Sequence, residues 1–206
     1  MRGGSDRSKD GQARAGRLTR RGLVLGGVAA LAAACGPHDV PSHLSAFAGG
    51  AVDPRFRRRR VRYDTSERPG TIVVDTGARY LYVVEEGGMA TRYGVGVGRQ
   101  GHNFRGRATI QRKAEWPSWT PTQNMIRQDS RLLQYASGVP GGPNNPLGAR
   151  ALYLYRNGRD TMYRLHGTNE PHSIGQSMSS GCIRLMNEDI IDLYNRTPVG
   201  TPVVVT

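Results

Sequence analysis

From residue 69 onward the chain is cut repeatedly by glycine and proline into short pieces rich in β-branched and aromatic residues, and this pattern limits the fold most. Thr71-Ile72-Val73-Val74-Asp75 is one such piece and residues 79–86 are another; Gly87-Gly88 then supplies a two-residue turn into a third, 89–97. Strand, glycine turn, strand is a hairpin signature. Gly94, Gly96 and Gly98 interrupt the alternation and predict a bulge or a close backbone approach. Further strands are expected at 108–113, 151–155, 162–165 and 202–205, separated by Pro/Gly-rich loops at 116–121 and 138–148. Helix signals are sparse: a short helix within 121–135, and a better one at 187–194, with Asn187 as cap and Glu188 and Asp189 in the first turn against the helix dipole. The expectation is a mainly β fold, a β-sandwich or open barrel with one or two short helices. About 138 residues suffice for one core.

The first 68 residues have a different character. Residues 1–22 are polar and arginine-rich, and 23–34 are an unbroken run of Gly, Ala, Val and Leu. A basic start, a short apolar stretch and small residues before a cut site read as an export signal over residues 1–35, too short to span a bilayer. Thr19-Arg20-Arg21-Gly22-Leu23 has the form of a twin-arginine address. Cys35, after Leu31-Ala32-Ala33-Ala34, suits lipoprotein processing, which would leave it acylated and the protein held on a membrane by a lipid anchor; ordinary Ala-x-Ala cleavage accounts for the same segment. Residues 36–68, with the run Arg55-Phe56-Arg57-Arg58-Arg59-Arg60-Val61-Arg62, are expected to form a basic flexible tether. Net charge is +13, and much of it lies in the signal and this run. For an exported chain located in the periplasm or cell envelope, such charge points to anionic headgroups or wall polymer, or to a solvated linker, and not to nucleic acid.

The cysteines then separate. Cys35 sits at the processing site, which leaves Cys182 a single thiol in an oxidising compartment with no disulfide partner. Two segments place a reactive group beside glycine at the end of an apolar stretch: Tyr163-Arg164-Leu165-His166-Gly167-Thr168 and Ser179-Ser180-Gly181-Cys182-Ile183-Arg184-Leu185. A thiol attacks as thiolate and needs a base or a positive field; histidine supplies the base near neutral pH. A separation of sixteen positions from His166 to Cys182 lets a loop leave one strand and return beside it. Gly181 lets backbone amides near Cys182 face an oxyanion. His166, His172 and Cys182 match no usual zinc spacing and lack a fourth ligand. No metal or cofactor is expected.

The stretch from His166 to Arg184, followed by Asn187-Glu188-Asp189 and Gly200-Thr201-Pro202-Val203-Val204-Val205, resembles the L,D-transpeptidase catalytic domain of the YkuD type. Gly70-Thr71-Ile72-Val73-Val74 and Asn145-Pro146-Leu147-Gly148 extend the resemblance over roughly 69–206. It departs at Ser180, where the family carries histidine, and Arg184 stands where part of the family has asparagine.

The resemblance implies a peptidoglycan-directed acyl transfer. Cys182 would be the nucleophile, His166 the general base and acid, and a backbone carbonyl near Gly167 the group orienting the imidazole. Ser179, Ser180, Gly181 and Arg184 would serve the oxyanion or substrate, with Arg184 pairing a stem carboxylate or making a structural salt bridge. Tyr153, Tyr155, Asn145 and the Trp116/Trp119 loop are candidate groove residues. The implied donor is a tetrapeptide stem that loses its terminal D-alanine; the acceptor is a second stem, a lysine of an envelope protein, or water. A different wall amidase and a non-catalytic wall-binding module are the rival readings.

Overall fold

The computed structural model describes residues 52–99 and 104–206. The expected export signal with its twin-arginine form, Cys35 and residues 36–51 lie outside the described residues.

The described chain is mainly β, as expected. Nine strands form one mixed sheet. In chain order they are β1 (Arg59–Arg62), β2 (Ile72–Asp75), β3 (Tyr80–Glu85), β4 (Met89–Gly94), β6 (Gly106–Glu115), β7 (Arg150–Arg156), β8 (Arg159–His166), β10 (Ile183–Arg184) and β11 (Pro202–Val205). Their spatial order is β1-β4-β3-β2-β11-β6-β7-β8-β10. The remaining strands, β5 (Val97–Gly98) and β9 (Ser177–Ser179), pair with each other. Two contacts in the large sheet are parallel, β11 with β2 and β10 with β8; the others are antiparallel. The β8–β10 contact matters most, because it brings the segments of His166 and Cys182 side by side.

Turn chemistry accounts for the hairpins. β3 and β4 are joined by Glu86-Gly87-Gly88, a loop one residue longer than the turn expected, with Gly87 and Gly88 at φ 71° and 70°. β7 and β8 are joined by Asn157-Gly158, at φ 50° and 73°, the left-handed pair that a type I′ turn needs. That turn sends β8 back along β7 so that His166 arrives opposite Ala151.

Two expectations are corrected. Residues 54–62 do not behave as a tether. Pro54–Phe56 make a 3-10 turn and β1 pairs with β4 in the register Arg59↔Arg92 to Arg62↔Met89. The reason is Phe56, the aromatic residue in the arginine run, which is buried. A Cβ on Gly94 would lie 2.4 Å from the Phe56 Cβ, and one on Gly175 would lie 2.2 Å from its ring, so two glycines create the slot that holds it. Arg58, exposed at the surface, pairs with Asp192 at 2.8 Å.

The second correction concerns Asn187. Helix α2 (Asn187–Arg196) begins as expected, but its N-cap is Met186, with no side-chain cap bond. Asn187 is the first helical residue, and its amide is used elsewhere. The other helix, α1 (Gln123–Gln128), is capped by Thr122 and runs into a 3-10 segment, Ser130–Tyr135.

One apolar core joins the elements, with Ile72, Val74, Leu81, Val95, Ile110, Leu152, Leu154, Leu165, Leu185, Ile190, Leu193 and Val203 among its members. Several polar groups packed against it are paired, as burial demands. The Tyr93 hydroxyl donates to Asp192 at 2.5 Å. Lys113 donates to the Tyr194 and Thr197 carbonyls at 2.7 Å each, closing the C-terminal end of α2 against β6.

Candidate active site

β8 and β10 run parallel, with Ile183 opposite Leu165 and Arg184 opposite His166. Side chains alternate along an extended chain, so Cys182, two residues before Arg184, shares the face that His166 occupies. Arg164 and Arg184 both act electrostatically on His166 and on Cys182, in accord with that placement.

His166 is buried, and its Nδ1 lies 2.5 Å from the Gly167 carbonyl oxygen. A carbonyl only accepts, so Nδ1 carries the proton and the Nε2 lone pair is left for a base. Burial, with Arg184 and Arg164 adding to it, pushes the imidazole down to about 3, against the opposing pull of the Gly167 carbonyl. At neutral pH it is an uncharged acceptor.

Cys182 is half-buried. Its Sγ is 3.9 Å from the Met162 carbonyl oxygen. Burial pushes the thiol up, while Arg164 and Arg184 pull the other way and do not overcome it. The resting pair is therefore a neutral thiol and a neutral imidazole.

The thiol opens onto a groove of about 490 Å³ lined by Trp119, Met125, Leu147, Tyr153, Met162, Tyr163, Arg164 and Ser180, among others. Of the residues expected there, Ser180, Tyr153 and Trp119 line it. Asn145 does not. It is buried, with its Nδ2 donating to the Val139 and Pro140 carbonyls and its Oδ1 accepting the Leu147 N–H, so its amide folds the 139–147 loop. Tyr155 and Trp116 are likewise not among the lining residues.

Ser179 holds the turn that carries Cys182. Its hydroxyl donates to the Cys182 carbonyl at 2.6 Å and accepts the Gly181 N–H at 3.2 Å. The Gly181 N–H is thus engaged within the turn and not turned toward an oxyanion. Gly181 itself sits at φ 132°, a conformation that favours glycine. Arg184 takes the salt-bridge role, with Nη1 2.7 Å from the Glu170 carboxylate.

Three site features escaped sequence reasoning: Asp160, Met162 and Arg164. The β7–β8 register slips between Tyr153 and Tyr155, and Met162 stands in the left-handed region at φ 64°. The Asp160 carboxylate accepts the Met162 N–H at 2.8 Å and grips Arg164 through both guanidinium nitrogens, at 2.6 and 2.9 Å. Arg164 also stacks over Tyr153 at 4.4 Å. This bulge aims the Met162 carbonyl at the thiol. Nothing in the local sequence signals it, because a register slip depends on both strands.

The domain is mainly β and carries a carbonyl-oriented neutral imidazole at the end of one strand, with a thiol just ahead of the strand that pairs with it in parallel. The model of the L,D-transpeptidase catalytic domain, YkuD, matches residues 69–205, and the chain belongs to that family. A probable L,D-transpeptidase of Escherichia coli K12, ErfK/SrfK, is 37% identical over 139 residues, covering 66% of this chain and 43% of the relative, so the chain spans less than half of that relative's length. A putative L,D-transpeptidase of Fuscovulum blasticum is 34% identical over 200 residues, covering 90% of this chain and 96% of the relative. Among solved structures, a Brucella melitensis protein described as a probable carnitine operon oxidoreductase is 48% identical, with a TM-score of 0.52, over 79% of this chain and 99% of that one.

Proposed function

We propose that the chain is an exported peptidoglycan L,D-transpeptidase acting through a Cys182 thioester. The observation that carries this reading is the tautomer-fixed, uncharged His166 set on the strand beside the one that Cys182 leads into, with Cys182 itself lining a groove of about 490 Å³.

The donor is a tetrapeptide stem. As Sγ approaches the carbonyl between the third residue, a diamino acid, and the terminal D-alanine, Nε2 of His166 takes the thiol proton. The C–S bond forms and the tetrahedral oxyanion collapses. His166 returns the proton to the departing D-alanine nitrogen, and the acyl group stays on Cys182 as a thioester. An amine then attacks, gives its proton to Nε2, and expels the thiol. The amine is the side chain of a second stem, forming a 3–3 cross-link, or a lysine of an envelope protein. Water in its place gives the L,D-carboxypeptidase reaction. The fixed neutral imidazole suits both half-reactions, since each begins with a proton acceptor at Nε2. The curated relatives favour acyl transfer over the oxidoreductase description attached to the Brucella protein. Residues 1–35 as an export signal, and Cys35 as a lipid attachment point, belong to the same proposal.

The test is D-alanine release from tetrapeptide muropeptides, followed alongside intact mass after exposure to a carbapenem. Wild type should release D-alanine and gain one adduct at Cys182, and C182A should do neither. D-alanine release by C182A at the wild-type rate sinks the mechanism. Absence of both release and adduct in the wild type favours a non-catalytic wall-binding module.

A further inference from the structure

Asn187 is buried at the first position of α2, where a side-chain amide has no helical duty. It is instead a clasp between two distant segments. Oδ1 accepts the Ala149 N–H at 2.9 Å, and Nδ2 donates to the Thr168 carbonyl at 2.8 Å. Ala149 leads into β7 and Thr168 follows β8. The slot for the amide is cut by glycines on both sides: a Cβ on Gly148 would lie 2.2 Å from Oδ1, and one on Gly167 would lie 2.1 Å from it. Gly167 is the residue whose carbonyl holds Nδ1 of His166. Its own N–H donates to the Arg150 carbonyl at 3.1 Å, and the His166 carbonyl accepts the Leu185 N–H at 2.8 Å. The backbone is therefore tied before Gly167 by the sheet and after it by Asn187.

We propose that Asn187 is a positioning residue for His166: by pinning Thr168 and packing on Gly167, it keeps the Gly167 carbonyl facing Nδ1 and so keeps Nε2 free of its proton. The inference rests on the reading of His166 as the base for Cys182. The clasp needs both ends of an amide. Aspartate keeps the acceptor toward Ala149 but sets an oxygen against the Thr168 carbonyl, and alanine leaves both buried backbone groups without a partner.

The experiment is 15N NMR of histidine-labelled protein, with His166 assigned by loss of its signals in H166Q, on wild type, N187A and N187D. It is joined by kcat and KM for D-alanine release. Wild type should show a protonated Nδ1 and an unprotonated Nε2. Both variants should show averaged or reversed tautomer shifts, with kcat lower by about 100-fold and KM within about twofold. N187D preserves the side-chain volume and carries the test if N187A does not fold. Folded variants that keep the wild-type tautomer overturn the proposal, whatever happens to kcat. A shifted tautomer in a protein whose wild type releases no D-alanine leaves the clasp standing and removes the enzymatic reading instead.

Discussion

The charge state of the resting site can be tested by following how fast Cys182 is alkylated as pH changes. Burial raises the thiol, and the two arginines that oppose it do not cancel the effect. His166 is held down near 3, so it offers no imidazolium at neutral pH to stabilise a thiolate. A free thiol near its ordinary pKa of about 8.5 is roughly 3% thiolate at pH 7, and Cys182 lies below that fraction. Reaction with iodoacetamide goes through the thiolate, so its rate should climb about tenfold per pH unit, or about 100-fold from roughly pH 6 to pH 8. The assay is timed alkylation, quenched and read on the peptide containing Cys182, which separates it from Cys35. H166Q should leave that slope unchanged while abolishing turnover, because the imidazole acts on the proton only during attack. A rate that is flat from about pH 5 to pH 7, and that becomes steep in H166Q, would refute the neutral pair and establish a thiolate–imidazolium pair instead.

Two further outcomes follow from the packing. F56A empties the slot between Gly94 and Gly175; loss of a buried phenylalanine costs about 3–5 kcal/mol, a fall in Tm of about 6–20 °C at this size. A change under about 1 °C would mean that residues 54–62 are a tether after all. Burial also pushes Asp189 up to about 7, against the pull of Arg58. The folded state therefore binds that proton more tightly than the unfolded chain. Its contribution to stability is full at acidic pH and lost as pH rises through about 7. D189N should accordingly gain Tm relative to wild type between about pH 5 and pH 8, and a Tm difference independent of pH over that range refutes the assignment.

The linear sequence determined the strand content, the placing of most strands and the choice of His166 and Cys182 as the proposed reactive pair. Short β-branched runs between glycines carry their own periodicity, and a cysteine or histidine beside glycine at a strand end is a local signal. What the residues around that pair do was decided by tertiary structure. Asn145, Ser179 and Asn187 are short polar side chains suited to caps, turns or ligands; which they serve depends on the backbone groups that other segments bring within 3 Å or so. Asn145 and Ser179 fold loops, and Asn187 clasps two of them. Arg184 met Glu170 because the 166–184 loop delivers a carboxylate there, and the Met162 bulge exists because two strands disagree in register. Phe56 shows the same divide. Its composition placed it in a charged linker, but two glycines, 38 and 119 positions further on, leave a slot of its shape, and burial of one ring outweighs the solvation of the arginines around it.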